Sequence, residues 1–148
     1  MGRPAYIESA ERRALRLRCL ALRRRLRPTH SRGDKHAWAV AFLDLYDARA
    51  WEAMQPRESR LDFLHAFGLT PPRVSELRVY LRVHAAAVDA GANPYHLRYV
   101  PVLVMYRLRH LIDKPNLLIG ELLGSEAAEE RRRKVHNRAA RARTRRTR

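Results

Sequence analysis

The sequence predicts an all-α fold, a compact helical domain of about five to seven helices with arginine-rich termini. Three observations predict it. Apolar residues recur at intervals of three and four along most of the chain. Proline, glycine and small polar residues fall where helices start and stop. The one valine-rich run, Val100 to Tyr106, admits a buried strand. Pro101 interrupts it and no second strand is evident to pair with it, so a helix bent or restarted at Pro101 is the better reading.

The elements follow in order. Ser9 can cap a helix to about Arg27, stopped by Pro28, with Leu15, Cys19, Leu22 and Leu26 on one stripe and arginines over much of the rest. Residues 28–34 compose a loop. Asp34 can cap a helix from Lys35 to about Met54. Its core stripe is Ala39, Phe42, Leu43, Tyr46, Ala50 and Met54, with Trp38 and Trp51 beside it. A short helix from about Glu58 to Phe67 carries Leu61, Phe63, Leu64 and Phe67. Gly68 then makes a turn, because a left-handed backbone is cheap for glycine.

Thr70 can cap the next helix and Pro71 suits its first position. Val74, Leu77, Leu81, Ala85 and Val88 form an inward stripe that carries this helix to about Asp89, and His84 lies with them as a core histidine. Ala90-Gly91-Ala92 stops it, and Asn93-Pro94 restarts helix to about Ile112. A turn at 113–116 leads to a short helix, Leu117 to Leu123, closed by Gly124. Ser125 caps a charged helix with Glu126, Glu129 and Glu130 in its first turns, and the last dozen residues read as disordered when free.

Charge divides the chain into three. Of 31 basic residues only Lys35, Lys114 and Lys134 are lysine. Residues 1–33 hold 10 arginines and 2 acids; residues 34–124 hold 11 basic and 10 acidic residues; residues 125–148 hold 10 basic and 3 acidic residues. The net charge of +16 is therefore split as +8, +1 and +7. A nearly neutral helical core lies between a basic amphipathic N-terminal helix and an arginine-rich C-terminal segment. Cationic ends favour polyanions through counterion release, and the arginine fork suits phosphate.

The stretch Arg60 to Leu81 has helix, glycine turn and second helix at the spacing of a helix-turn-helix over about residues 60–82. Its FLHAFGLTPPRVSELR resembles the G-L-[ST]-x-x-x-V-S-x-L signature of bacterial helix-turn-helix DNA-binding proteins. Residues 58–100 loosely resemble the central domain of ParB/KorB-type regulators, in which a small-residue turn and a His-containing helix start follow the recognition helix; here these are Val88 to Gly91 and Tyr95 to Arg98. The resemblance implies DNA binding, as in a small regulator of transcription or a plasmid-partition, phage or chromosome-maintenance factor. Leu64 departs from the pattern, since a small residue is usual four places before the glycine.

The implied outward residues include Thr70, Arg73, Ser75, Glu76, Arg78 and Arg82, of which the arginines suit phosphates better than base edges. Arg131, Arg132, Arg133, Lys134, Arg138, Arg141 and Arg143 supply further phosphate contacts from the C-terminal segment. Duplex DNA is the expected partner; an RNA-binding or ribonucleoprotein role is the alternative, against which the sequence shows no aromatic stacking platform. An adaptor for an acidic protein or membrane surface is a third class. A homodimer on a two-fold site is compatible with this mode of binding. The expected setting is cytoplasmic, at the nucleoid.

No enzymatic reading gathers support. The seven histidines never fall with acids at a metal-site spacing, and the loop cluster His30, Asp34, His36 lacks further ligands. Cys19 is the only cysteine, so neither an internal disulfide nor a cysteine-based zinc site can form. There is no glycine-rich phosphate loop, no cofactor is implied, and no apolar run is long enough to span a membrane.

Overall fold

Most of the predicted helix starts are made by the residues that announce them. The computed structural model describes residues 8–25 and 34–146. Among the described residues there are seven α-helices, two 3-10 turns and no strand. Helix α1 is Ala10–Arg24, capped where the Ser9 hydroxyl accepts from the Arg12 N–H at 3.2 Å. Helix α2 is Lys35–Asp47, capped by the Asp34 carboxylate on the Ala37 N–H at 2.9 Å. Helix α3 is Arg60–Ala66, two residues later in its start than the reading from about Glu58, and the Ser59 hydroxyl caps it by accepting from the Asp62 N–H at 3.1 Å. Helix α4 is Pro71–Asp89, α5 is Pro94–Leu97, α6 is Val102–Arg107 and α7 is Pro115–Arg146. Pro28, Leu26 and the loop histidine His30 lie outside the described residues.

Two stops share one geometry. Gly68 has φ +69, and the Leu69 N–H returns to the Leu64 carbonyl at 3.0 Å while the Gly68 N–H reaches the His65 carbonyl at 2.9 Å. Gly91 has φ +102, with Ala92 returning to Ala87 and Gly91 to Val88 in the same pattern. These are Schellman closures, which satisfy the last carbonyls of α3 and α4. At the first, Leu64 and Leu69 are both buried, the apolar pairing such a closure favours.

Four differences from the sequence reading have physical reasons. Helix α2 ends at Asp47, not Met54, because Arg49 adopts a left-handed φ of 55. A 3-10 turn, Ala50–Ala53, then folds Trp51 back to 5.5 Å from Tyr46 and 5.6 Å from Phe63. Thr70 flanks α4 but makes no side-chain cap bond. Pro72 removes the N–H at the second position, and the Arg73 N–H is taken by the Thr70 carbonyl at 3.0 Å. The buried face of α4 is Val74, Leu77, Tyr80, Val83, His84 and Ala87; Leu81 and Val88 are half-buried and Ala85 is exposed. Apolar periodicity passed over Tyr80, whose ring is large enough to serve as core. Lastly, Gly124 does not close a helix. Helix α7 runs unbroken through Gly124 and Ser125 to Arg146, continuing through residues that read as an unstructured tail.

The core is aromatic where α2 meets α3. Phe42 lies 5.4 Å from Trp38, 5.2 Å from Phe67 and 6.1 Å from Phe63. Helix α1 closes this layer through Cys19 and Leu22, both buried. Its Arg23 forms a two-pronged ion pair with Glu58 (2.8 Å for one prong) and stacks its guanidinium 5.5 Å from Phe63 and 5.4 Å from Phe67. Helix α4 is the spine, packing against α2 on one side and against α6 and α7 on the other. Among the described residues, helix α7 joins the body through Leu118 and Leu122 near its start; beyond Leu122 every described side chain is exposed. Its 32 residues make a rod roughly 48 Å long.

The two glycines give opposite predictions. Neither Gly68 nor Gly124 has an atom within 4 Å of an added Cβ, so backbone conformation alone decides. Gly68→Ala should destabilise by about 1–2 kcal/mol because of its left-handed φ. Gly124→Ala should stabilise α7 by about 0.5–1 kcal/mol, and circular dichroism should show more helix. Loss of helix in the Gly124 variant would mean that α7 does break there.

Candidate nucleic-acid interface

The outer face of α4 holds the residues that the helix-turn-helix resemblance singles out. Thr70, Arg73, Ser75, Arg78 and Arg82 are exposed and Glu76 is half-buried. They do not make a cationic face, because carboxylates meet the arginines. Arg73 donates to Glu76 on the next turn at 2.8 Å. Arg78 reaches across to α2, where its guanidinium holds Asp47 with both prongs, one at 3.1 Å, and lies 5.8 Å from the Tyr46 ring. The hydrogen bonds from Arg78 hold the Asp47 carboxyl below its ordinary range. Arg82 has no carboxylate partner among the described residues.

A groove of about 600 Å3 separates α2 from α4, lined by Asp44 and Asp47 on one wall and by Ser75, Arg78 and Arg82 on the other. Three acids, Asp44, Asp47 and Glu76, thus accompany three arginines along this face. A phosphate approaching it must compete with carboxylates already in place.

The C-terminal helix differs. Lys134, Arg138, Arg141 and Arg145 are exposed and sit at i, i+4, i+7 and i+11. At 3.6 residues per turn these four cations fall within one narrow sector. Arg138, Arg141 and Arg145 make no ion pair among the described residues. Ala139, Ala140 and Ala142 occupy intervening positions and keep the rod slim, while Asn137 flanks the stripe. Arg143 projects from the opposite side. Arg131, Arg132 and Arg133 lie on the α7 backbone, their side chains outside the described residues. Asn137 and Arg145 were not singled out from the sequence, although the period of the cations was legible there. On α1, Arg13, Arg18 and Arg24 are exposed, as is Arg25 just after it, whereas Arg16 is held by Glu8 and Arg23 by Glu58.

A second surface was not foreseen. Arg98 lays its guanidinium 5.0 Å from the Tyr95 ring and 5.8 Å from Tyr99, and the two hydroxyls meet at 3.3 Å. Tyr95 is exposed, so this is an aromatic and cationic platform of the kind the sequence did not reveal. Beside it, the His36 and His84 ring centroids lie 4.1 Å apart, with the rings tilted by 33°. His84 is buried as expected of a core histidine, yet its ring nitrogens make no hydrogen bond among the described residues. No three His, Cys, Asp or Glu side chains among the described residues gather closely enough to hold a metal ion. No helix among them is long and apolar enough to cross a membrane.

Fold and surface together define an all-helical protein carrying an exposed cationic helix. Comparison of the chain with family models, curated proteins and solved structures returns no match.

His84 makes stability depend on pH. Burial, and then the neighbouring His36, push its pKa from 6.5 down to about 4, with Asp34 opposing. The unfolded chain takes up this proton near pH 6.5 and the folded chain only near 4. Between those values the unfolded state binds more protons, so stability is complete above pH 6.5 and falls as the pH drops towards 4. The urea midpoint should be lower at pH 5 than at pH 7, and His84→Leu should remove most of that difference. An unchanged difference in His84→Leu would assign it to other groups.

Proposed function

We propose that this chain binds duplex DNA, with α7 lying in the major groove and the α3–α4 hairpin acting as the rigid body that presents it. The observation that carries the reading is the basic stripe Lys134, Arg138, Arg141 and Arg145 on an exposed helix. The stripe is roughly 16 Å long at 1.5 Å per residue, so it meets several phosphates of one groove wall. The major groove is about 12 Å wide and admits an α-helix, and the three alanines narrow this one. Asn137, beside the stripe, has the donor and acceptor that match adenine. Arg82 and Ser75 add contacts from α4, whereas Arg73 and Arg78 must first leave their carboxylates. Affinity then comes mainly from charge and specificity is modest. A small regulator or a plasmid, phage or chromosome-maintenance factor fits that profile, and its place of action is the nucleoid.

A second reading, RNA binding, is favoured by the Tyr95–Arg98–Tyr99 platform. Aromatic and guanidinium faces stack on unpaired bases without regard to sequence.

Fluorescence anisotropy on random duplex DNA and on a structured RNA, between 50 and 200 mM salt, tests the first reading (roughly the range over which counterion release is resolved). Substituting Arg138, Arg141 and Arg145 together by alanine should lower the log–log salt slope on duplex DNA by about 2.7. Arg73→Ala should change it by less than about 0.5, since its charge is already matched by Glu76. A triple variant with an undiminished slope would remove α7 from the interface, and tighter binding to the RNA would favour the second reading.

A further inference from the structure

We infer that the cavity between α2, α4 and α5 is a binding site for a guanine base. The cavity measures about 630 Å3 and is lined by Asp34, His36, His84, Asp89, Tyr95 and Arg98, among others. It is separate from the α7 stripe, so the inference stands independently of the DNA-binding reading.

The first observation is chemical complementarity. Guanine presents two adjacent donors, N1–H and the N2 amine, on one edge and two acceptors, O6 and N7, on another. A carboxylate accepts from the first pair and a guanidinium donates to the second. Asp89 has no hydrogen-bond or ion-pair partner among the described residues. It is also the last residue of α4, where a negative charge opposes the helix dipole, so its position does nothing for the helix. Asp34 uses one oxygen on the Ala37 N–H, which leaves the second for a ligand. Arg98 lies close to the Tyr95 and Tyr99 rings, and its guanidinium N–H groups make no hydrogen bond among the described residues, which leaves them available to a ligand. Adenine offers an acceptor at N1, which a carboxylate repels.

The second observation is His84. The residue is largely buried, it lines the cavity, and its nitrogens have no hydrogen-bond partner among the described residues. Its nitrogens are not among the fully buried atoms, so a ligand entering the cavity can reach them. It is neutral at pH 7, so one ring nitrogen donates and the other accepts. The His36, His84 and Tyr95 rings line the cavity, and a purine can pack against one of their faces. The volume exceeds a single base and accommodates sugar and phosphate. Two sources present this base: a free guanine nucleotide and an unpaired guanine in a strand.

Calorimetric titration of the full chain with GMP, AMP and the RNA pentamers UUGUU and UUAUU tests the site. GMP should bind at least about tenfold more tightly than AMP, in line with loss of a bidentate contact. Asp89→Asn, at an exposed position, should remove that preference, and Arg98→Met should weaken both mononucleotides. A pentamer UUGUU that binds more tightly than GMP assigns the source to a strand; one no tighter than GMP assigns it to the free nucleotide. Equal affinity for GMP and AMP, or binding of neither GMP nor UUGUU, overturns the proposal. The α7 triple variant should keep the guanine preference, so the two readings fail separately.

Discussion

The fold depends on one aromatic contact set, Phe42 of α2 against Phe63 and Phe67 of α3. A helix of seven residues is too short to be stable alone, so α3 exists only because its apolar face is held. Phe42 holds it from one side and the Arg23 guanidinium covers both phenylalanine rings from another, with Glu58 fixing the guanidinium in turn. Burying two phenylalanines contributes on the order of 4–6 kcal/mol by apolar area. That is enough to order α3, to set Gly68 in its left-handed turn, and so to fix the direction in which α4 leaves.

Because α4 is launched from that anchor and then buried along Val74, Leu77, Tyr80, Val83 and Ala87, it cannot move as a separate reader. Its outer face is the remainder, and the neighbouring α2 brings Asp44 and Asp47 beside it. The packing that makes α4 rigid therefore also brings acids to its cationic side. The consequence for charge is general. Residues 34–124 are nearly neutral in sum, and most of the excess positive charge falls in the segments that hold α1 and the end of α7.

Much of the fold was legible in the sequence because it is written in local chemistry. Ser9, Asp34 and Asn93 cap the helices they precede, and Gly68 and Gly91 close α3 and α4. These are signals within five residues of the structure they produce. The failures are of a different kind. Arg49 in a left-handed conformation is not announced by its residue type, and it is stabilised by contact with Trp51 at 5.8 Å and Glu52 at 2.9 Å. Gly124 was misread because a glycine that closes a helix and a glycine that a helix tolerates look alike in one sequence. At the candidate site, residue numbers were legible and pairing was not. That Arg78 is held by Asp47, 31 positions away, is a tertiary fact, as is the meeting of His36 with His84.

The free part of α7 shows how local stability and polyanion binding converge in one element. A helix without tertiary packing depends on its own sequence for stability. Alanine and arginine have high helix propensity, and in the sequence Glu129 precedes Arg133, and Glu130 precedes Lys134, by the four residues that suit an ion pair. Acids stand early in the charged stretch and cations late, the order in which the helix dipole is complemented at its C-terminal end. What remains unfavourable is mutual repulsion among Lys134, Arg138, Arg141 and Arg145 on one face. A row of phosphates relieves that repulsion without disturbing the other terms. Binding a polyanion and completing the helix are thus favoured by the same four charges, and the rest of the protein needs only to hold Leu118 and Leu122 in place.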